Sequence, residues 1–305
     1  MKKTPVPQRF NKVRKQLAKE LTGVSHVNTR FLQSLYRKHE ILLPRDIRTP
    51  SALVELLVKM GLLEEQHAPY KVAYIPFSFK SIFKKALAFY ENSYLSFFSA
   101  FHLHQLTLEI PKTIYVTYEQ FPKNMPTRPL TQKSIDIACS KDIRRTTNFT
   151  EIEGYKIYFL NRKNSRNAGV KKIEFENEIL SVTNLERTLI DAVVRPEYCG
   201  GINEVANAFR LARERTISTQ RFLRTFAELN YIYPYHQAIG FLLEKTNNPN
   251  KELIEKLFEM SKSFKFYLVH NMPKEELEFN DKWNVYYPKF LPLNSLHNHS
   301  KNQIL

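Results

Sequence analysis

Strand-like and helix-like patterns occupy separate parts of this chain, and their order is the feature that most restricts the fold. Alternating apolar residues cover 113–118, 134–139, 155–160 and 171–176, and helical apolar stripes then cover about 185–193, 202–212, 222–229, 234–243 and 253–258. A run of strands followed by a run of helices is typical of an α+β domain, because a doubly wound sheet would interleave them. We therefore predict a mixed α+β domain with a mainly antiparallel sheet and a helical cluster. Later strands at 264–269 and 283–287 should rejoin this sheet.

The first helix after the strands has sequence signals at both ends. Thr183 and Glu186 have the spacing of an N-terminal capping box. Pro196 stops the helix, and Gly200-Gly201 supplies the turn that follows. The pattern predicts a helix with a defined start and a sharp end.

Arg187 and Asp191 lie four residues apart on this helix, which is the spacing of an i,i+4 ion pair. Both fall between two apolar stripes, so we expect a partly buried pair that organises the turn at 195–201. The alternative is an ordinary surface ion pair, which would contribute little to stability.

The chain is basic, and the excess is concentrated at its N-terminal end. Its 305 residues carry 46 Lys and Arg against 30 Asp and Glu, a formal net charge of +16. Residues 1–48 alone hold twelve basic and three acidic side chains, a net charge of +9. This asymmetry indicates a polyanionic partner such as nucleic acid, and the alternative is a merely solvating basic surface.

Three helical patterns and two strand patterns follow one another in this basic region. The helices cover 10–21, 26–39 and 50–60, and the strands cover 62–65 and 71–75 around a turn at 66–70. Gly23 lies in the first turn, and Ser25 can cap the second helix. Thr49-Pro50 opens the third helix as cap and first helical residue, and Gly61 ends it. Three helices followed by a two-stranded ribbon predict a winged helix-turn-helix.

Outward polar positions on these helices are the candidate DNA contacts. Arg pairs with guanine edges and phosphate, and Asn or Gln pairs with adenine edges, because each offers two hydrogen bonds at once. The reading helix is either 25–38, which has more basic groups, or 50–60, which precedes the ribbon. The full set of candidates is Lys12, Lys15, Lys19, Asn28, Thr29, Arg30, Gln33, Arg37, Arg48, Ser51, Lys59 and Lys71.

Five strings in the remainder of the chain occur in a recognisable order. They are Tyr94–His104, Ile110–Tyr115, Leu185-Glu-Arg-Thr-Leu-Ile-Asp191 with Arg195-Pro-Glu-Tyr-Cys-Gly-Gly201, Tyr233–Phe241 and Trp283–Pro288. Together they resemble the AbiEi family, the regulator halves of bacterial abortive-infection (type IV) toxin–antitoxin pairs. The basic lead-in of roughly 20 residues departs from the compact form of that family.

The resemblance implies two activities and a division of the chain. A winged-helix domain at 1–78 would repress its own operon by binding inverted repeats in operator DNA. An antitoxin domain at 79–290 would neutralise, directly or indirectly, a nucleotidyltransferase-like toxin, and 291–305 would be a polar tail. The motif residues that the resemblance assigns to the antitoxin domain are Glu186, Arg187, Asp191, Arg195, Gly200 and Gly201.

Catalytic and metal-binding patterns are weak in this sequence. The seven glycines form no phosphate-binding loop, and the nine His and two Cys lack zinc spacing. A metal-dependent nuclease built on strand acids Asp136, Glu174 and Glu176 is the enzyme alternative. We therefore expect no catalytic site, no metal and no cofactor.

The N-terminal residues and the cysteine content bear on the cellular location. Met1–Pro5 leads into charged residues, no apolar run would span a bilayer, and Cys139 and Cys199 are too few for a disulfide framework. We expect a cytoplasmic protein without membrane contact.

Basic segments at 144–145 and 162–166 are either phosphate contacts or solvated loop tips. The functional alternative is a plain winged-helix regulator whose C-terminal domain senses a ligand or dimerises.

Overall fold

The computed structural model describes residues 8–22, 24, 26–121, 129–260 and 263–293, which form a mixed α+β structure. The helices are α1 (Gln8–Thr22), α2 (Thr29–His39), α3 (Pro50–Lys59), α4 (Ile82–Leu87), α5 (Phe97–Leu103), α6 (Gln132–Cys139), α7 (Leu185–Val194), α8 (Ile202–Ala212), α9 (Thr219–Leu229), α10 (Tyr235–Lys245) and α11 (Lys251–Glu259). The strands are β1 (Leu63–Ala68), β2 (Lys71–Pro76), β3 (Tyr94–Leu95), β4 (Thr113–Glu119), β5 (Phe149–Ile152), β6 (Tyr155–Arg162), β7 (Val170–Phe175), β8 (Glu178–Thr183), β9 (Phe266–Tyr267), β10 (Leu277–Asn280) and β11 (Val285–Pro288). None of the helices in this described part has the length and apolar content needed to cross a bilayer.

The first three helices share a small core of their own. Val13 and Leu17 of α1, Leu35 of α2, and Leu53 and Leu57 of α3 are all almost completely buried in it. The predicted start of α3 is confirmed, because the Thr49 side chain accepts a hydrogen bond from the Ala52 amide and Pro50 is the first helical residue. These helices therefore pack as one unit around their apolar stripes.

Helix α2 begins later than the sequence predicts. The expected start was His26 with Ser25 as cap, but Ser25 and Gly23 lie outside the described residues. The helix starts at Thr29 because the Asn28 side chain caps it, accepting a hydrogen bond from the Phe31 amide at 2.8 Å. The His26 ring instead forms a 2.7 Å hydrogen bond to the carbonyl oxygen of Ala88, and burial lowers its pKa.

The β1–β2 hairpin connects the three helices to the rest of the chain. Its strands pair antiparallel from Leu63–Pro76 to Ala68–Lys71, so the turn is tighter than the predicted 66–70 segment. Ala73 and Ile75 point into a second core, which contains Phe79 and Phe83. The hairpin is thus packed against the larger part of the protein along one side.

A six-stranded sheet forms the centre of the larger part, in the order β5-β6-β4-β3-β8-β7. Three of its five pairings are antiparallel, and the β4–β6 and β3–β8 pairings are parallel. The predicted strands at 113–118, 155–160 and 171–176 are confirmed as β4, β6 and β7. Strands β5 and β8 were not predicted from the sequence.

Two of the predictions are wrong. Segment 134–139 is helix α6 and not a strand, because Thr131 and Ser134 form a capping box and the buried residues Ile135 and Cys139 are four apart. The late strands at 264–269 and 283–287 do not rejoin the large sheet. They form a separate three-stranded sheet, ordered β10-β11-β9.

Helix α7 lies at the centre of the main apolar core, against helices α5, α8, α9 and α10. Every side chain from Glu186 to Val193 is buried, so the helix is covered on all sides. Its cap is Asn184 and not Thr183, whose hydroxyl instead bonds the Thr188 hydroxyl at 2.7 Å. The predicted capping box of Thr183 and Glu186 is therefore wrong.

The small sheet is joined to α10 by a close contact. The Trp283 indole covers Gly240, where an added Cβ would lie 2.1 Å from the ring. The indole nitrogen donates to Glu244 at 2.6 Å, and the Gln237 side-chain amide donates to the Trp283 carbonyl at 2.8 Å. This contact needs glycine at position 240 because the helix backbone and the ring are in direct contact.

Candidate functional site

Helix α2 presents a basic and amide-bearing face to solvent. Arg30, Gln33 and Arg37 are exposed and are spaced three and four residues apart, which places them on one side of the helix. The opposite side carries the buried residues Leu32 and Leu35. The sequence-predicted contacts on this helix are thus brought together on a single accessible surface, which we call the α2 face.

Helix α1 adds lysines to the same end of the molecule. Lys15 and Lys19 are exposed, and within the described ranges neither forms an ion pair. Lys12 belongs to the helix, but its side chain lies outside the described residues. Lys38 differs from these lysines, because it donates to Glu20 at 2.6 Å and that contact lowers the Glu20 pKa. Charge on this side is therefore only partly neutralised.

Two predicted contacts at the start of α2 differ in availability. The Asn28 carboxamide oxygen accepts the Phe31 amide, so that atom serves the helix cap and is not free to bind an adenine edge. Thr29, the first helical residue, is exposed. Asn28 therefore has a structural role as the helix cap, and its contact with a base stays a prediction.

The third helix offers a weaker basic surface. Ser51 and Lys59 are exposed as predicted, but the exposed Glu55 lies between them on the same helix stripe. Arg48 is exposed and its Nε donates to the Arg45 carbonyl at 3.2 Å. At the hairpin turn Lys71 is exposed. Charge therefore distinguishes the α2 face from the surface of α3.

The second predicted site is a network of buried charges around α7. The Arg187 Nε donates to Asp191 Oδ2 at 2.8 Å, and their side chains are 0% and 1% exposed. The other guanidinium nitrogens donate to the carbonyl of Ala168 and to the hydroxyl of Tyr94. The expectation of a buried pair is confirmed, and the surface-pair alternative is wrong.

Strand β6 brings a second arginine to the same aspartate. Arg162 Nη1 donates to Asp191 Oδ1 at 2.9 Å, and its other Nη donates to Tyr231, which also contacts Asp191. The Arg162 side chain is only 18% exposed. Arg162 was predicted to be a phosphate contact or a solvated loop tip, and both interpretations are wrong because it ends a strand inside the network.

A glutamate completes the charge balance. Glu119 accepts hydrogen bonds from the Ser165 and Asn167 amides at 2.8 and 3.1 Å, and its Oε1 accepts from the Tyr94 hydroxyl at 3.3 Å. Burial opposes ionisation of this carboxyl, but the hydrogen bonds outweigh burial and lower its pKa. Burial raises the Tyr94 pKa to about 12, so the phenol stays protonated and can donate. The network therefore holds two arginines and two carboxylates.

The loop that covers Arg187 depends on a glycine that sequence reasoning did not single out. Gly169 has φ +68°, and a Cβ there would lie 2.7 Å from the Arg187 Cβ. Its carbonyl oxygen also accepts the Asn184 amide at 2.7 Å, which links the loop to the α7 cap. Because a left-handed backbone and a close approach coincide, only glycine fits without rearrangement. One Gly in a polar segment gave no signal in the sequence.

The remaining motif residues have separate structural roles. The buried Glu186 accepts from the Ser218 amide at 2.9 Å and from Arg221 at 3.0 Å. Arg195 ends α7 and lies 3.1 Å from Glu197, a buried carboxyl whose pKa is raised by burial. Gly200 and Gly201 have φ +83° and +95°, which confirms the predicted turn. None of these residues is part of the Arg187–Asp191 network.

The candidate nuclease acids do not form the predicted arrangement. Asp136 is on helix α6, where Gln132 and Tyr267 donate to its Oδ1. Glu174 lies on β7 and Glu176 in the turn after it, and both are exposed. In the described ranges no group of three or more His, Cys, Asp or Glu is placed to hold a metal ion. The premise of paired acids on neighbouring strands is therefore wrong.

Comparison with solved structures gives distant similarity only. No family model matches the chain, and no curated protein matches it. Among solved structures it is similar to the RV2827C protein from Mycobacterium tuberculosis, with 13% sequence identity, a TM-score of 0.49 and 93% coverage of both chains. A similarity at this level supports no statement about function.

Proposed function

We propose that the protein is a cytoplasmic antitoxin that also regulates its own operon. Its N-terminal region, as a winged helix, binds inverted repeats in operator DNA, and its larger region neutralises a nucleotidyltransferase-like toxin. The observation that carries the DNA-binding half is the α2 face, where two arginines and a glutamine project together into solvent. The antitoxin half rests on the resemblance of the five sequence strings to the AbiEi family.

The α2 face suits DNA on chemical grounds. Arg30 and Arg37 form no ion pair within the described part of the chain, so binding a phosphate or base does not first require breaking one. Guanidinium groups bind guanine edges and phosphates through two hydrogen bonds, and Gln33 can do the same with adenine. The exposed Lys15 and Lys19 on α1 would contact phosphates.

Charge favours α2 over α3 as the helix that reads bases. The exposed stripe of α3 places Glu55 between Ser51 and Lys59, and a carboxylate repels the phosphate backbone. The α2 face has no acidic member. We therefore assign base contacts to Arg30, Gln33 and Arg37, and assign backbone contacts to the hairpin residue Lys71.

The DNA-binding half is tested with the full chain and the DNA upstream of its own gene. Binding should be specific to an inverted repeat and should weaken steeply with salt, because each neutralised phosphate releases counterions. The triple variant R30A/Q33A/R37A should lose the footprint, and S51A/K59A should retain it. A footprint that persists in the first variant and vanishes in the second would move the reading helix to α3.

The antitoxin half is tested by co-expression with the neighbouring nucleotidyltransferase-like gene product. The R30A/Q33A/R37A variant, which keeps every buried contact, should still protect cells from the toxin. A full-length variant is preferable to a truncation at residue 78, because Ala73 and Ile75 of the hairpin are buried in the second core. Loss of protection in this folded variant would contradict a separate antitoxin region and favour a plain transcription regulator.

A further inference from the structure

A concave cleft lies beside β7, the edge strand of the six-stranded sheet. Its walls are the end of α5, strand β7, the start of α7 and the loop between α8 and α9, and its volume is about 550 Å³. Volumes of this size are typical of sites for small molecules. The polar residues that matter to the argument are His104, Lys171, Glu186, Arg215 and Arg221.

The cleft holds more positive charge than its single carboxylate neutralises. Glu186 is 1% exposed and is paired with Arg221 at 3.0 Å, so these two charges balance. Lys171 and Arg215 are both exposed, and neither forms an ion pair in the part of the chain that the structure describes. Two cations therefore line the cleft without a counter-charge.

Hydrogen bonds within the protein hold the two arginines of the cleft in place. Arg215 Nη2 donates to the Gln105 side-chain oxygen at 2.5 Å, which orients the guanidinium without neutralising it. Arg221 is held by Glu186, whose Oε1 also accepts the Ser218 amide. Such fixed donors lose little freedom on binding, which favours affinity for an anion.

The histidine in the cleft adds shape and not charge. His104 Nε2 lies 2.6 Å from the Thr183 carbonyl oxygen, and because a carbonyl only accepts, Nε2 carries the hydrogen. Burial lowers the His104 pKa, and the bond to Thr183 only partly opposes this. The imidazole is therefore neutral near pH 7, and the unbalanced charge rests on Lys171 and Arg215.

We propose that this cleft binds the diphosphate group of a small phosphorylated molecule. The Arg215 guanidinium and the Lys171 ammonium lie on different walls, so each can bind one phosphate of a diphosphate. A ligand with a single carboxylate would reach only one of these two cations. The cleft has more volume than an inorganic diphosphate requires. A nucleoside diphosphate, which carries the same diphosphate group, is therefore the second candidate ligand. This binding is independent of the operator-binding and antitoxin activities proposed above.

The test is calorimetric titration of the full-length protein with inorganic pyrophosphate and, separately, with ADP. The cleft variant K171Q/R215Q is compared with K172Q/R213Q, which removes the same two charges from neighbouring positions. Lys172 faces the other side of β7 by strand alternation, and Arg213 at the end of α8 pairs with Glu214 on the surface. Wild type should bind with one site, the cleft variant at least about tenfold more weakly, and the control within about twofold of wild type.

The outcomes distinguish the two ligand sources, inorganic diphosphate and nucleotide, and include the results that would contradict the proposal. Binding of pyrophosphate alone identifies an inorganic ligand, and tighter binding of ADP identifies a nucleotide. Absence of saturable binding by wild type, or equal weakening in both double variants, would overturn the proposal. If K171Q/R215Q melts at a lower temperature, K171Q alone replaces it, because this exposed side chain has no described partner. Operator footprinting of the same variants should be unchanged, which distinguishes this site from the α2 face.

Discussion

Arginine has opposite roles in two regions of this molecule. On the α2 face Arg30 and Arg37 are exposed and form no ion pair within the described residues, so their hydrogen-bonding capacity is open to a partner. Around α7, Arg187 and Arg162 share Asp191, and every guanidinium is held by protein acceptors. The comparison shows that residue type alone does not identify a binding site. Burial and the presence of a counter-charge decide whether an arginine supports the fold or stays available to a partner.

The largest expected effect tests the buried half of this comparison. Asp191→Ala should lower the free energy of unfolding by about 3–5 kcal/mol, because Arg187 and Arg162 would both remain inside the protein without their counter-charge. Urea unfolding followed by circular dichroism measures the loss. The proposed antitoxin activity should fall in proportion to the unfolded fraction.

An exposed pair with the same spacing is the control for that variant. Arg224 and Glu228 are also four residues apart and 3.0 Å from each other, but their side chains are 78% and 42% exposed. Glu228→Ala should therefore cost less than about 1 kcal/mol. Equal losses in Asp191→Ala and Glu228→Ala would remove the distinction between a buried network and a surface pair.

A smaller loss of stability is expected for a substitution at Gly169, in the loop that covers Arg187. Gly169→Ala adds a methyl group 2.7 Å from the Arg187 Cβ at a residue with φ +68°. Overpacking and a left-handed backbone should together cost about 2–3 kcal/mol. Gly154→Ala is the matched control, since Gly154 has φ +79° but no atom within 4 Å of the added group. If both variants lose the same stability, backbone conformation and not contact with Arg187 is responsible.

The pH dependence of stability tests the Glu119 carboxylate. Its pKa is lowered in the folded state, so it stabilises the fold above the ordinary value of 4.5, and this contribution is lost as pH falls through the folded-state pKa. Glu119→Gln should cost about 1–2 kcal/mol at pH 7 and progressively less below pH 4.5. Urea unfolding of both proteins between pH 7 and pH 3 measures the difference. A constant difference across this range would show that ionisation of Glu119 does not matter.

The smallest effect on stability is expected on the α2 face, where the effect on the proposed DNA binding should be largest. Arg37→Ala should change the free energy of unfolding by no more than about 0.5 kcal/mol. It should weaken binding to the operator by about 1–3 kcal/mol and relax base preference. Lys15→Ala should weaken all DNA sequences alike and reduce the salt slope by about one. A stability loss in Arg37→Ala comparable to that of Asp191→Ala would end the contrast between the two regions.

Elements with long periodic stripes were predictable from the sequence. Helices α8, α9 and α11 and strands β4 and β6 occur where the stripes indicated, and Thr49-Pro50 marked the start of α3. The burial of Arg187 and Asp191 also followed from their place between apolar stripes. In these cases the deciding interactions are local, so neighbouring residues carry the information.

The failures have two physical causes, which are short ambiguous patterns and partners distant in the chain. Segment 134–139 is too short for periodicity alone to separate helix from strand, and its capping box at Thr131 decided the result. Arg162 is 29 residues from Asp191 along the chain, and a basic string gives no indication of that contact. Glu119 and Gly169 likewise join the network only through the folded topology. No local pattern contains these pairings.

The single tryptophan of the chain makes the molecule spectroscopically asymmetric. Trp283 is 1% exposed and lies against α10, so its fluorescence emission should be blue-shifted in the folded protein and should report on the helical core alone. Far-ultraviolet circular dichroism, by contrast, reports on all helices, including α1 to α3. Agreement of the two signals during unfolding would mean that both regions melt as one cooperative unit. An earlier loss of ellipticity would give the stability of the N-terminal helices separately, without cutting the chain.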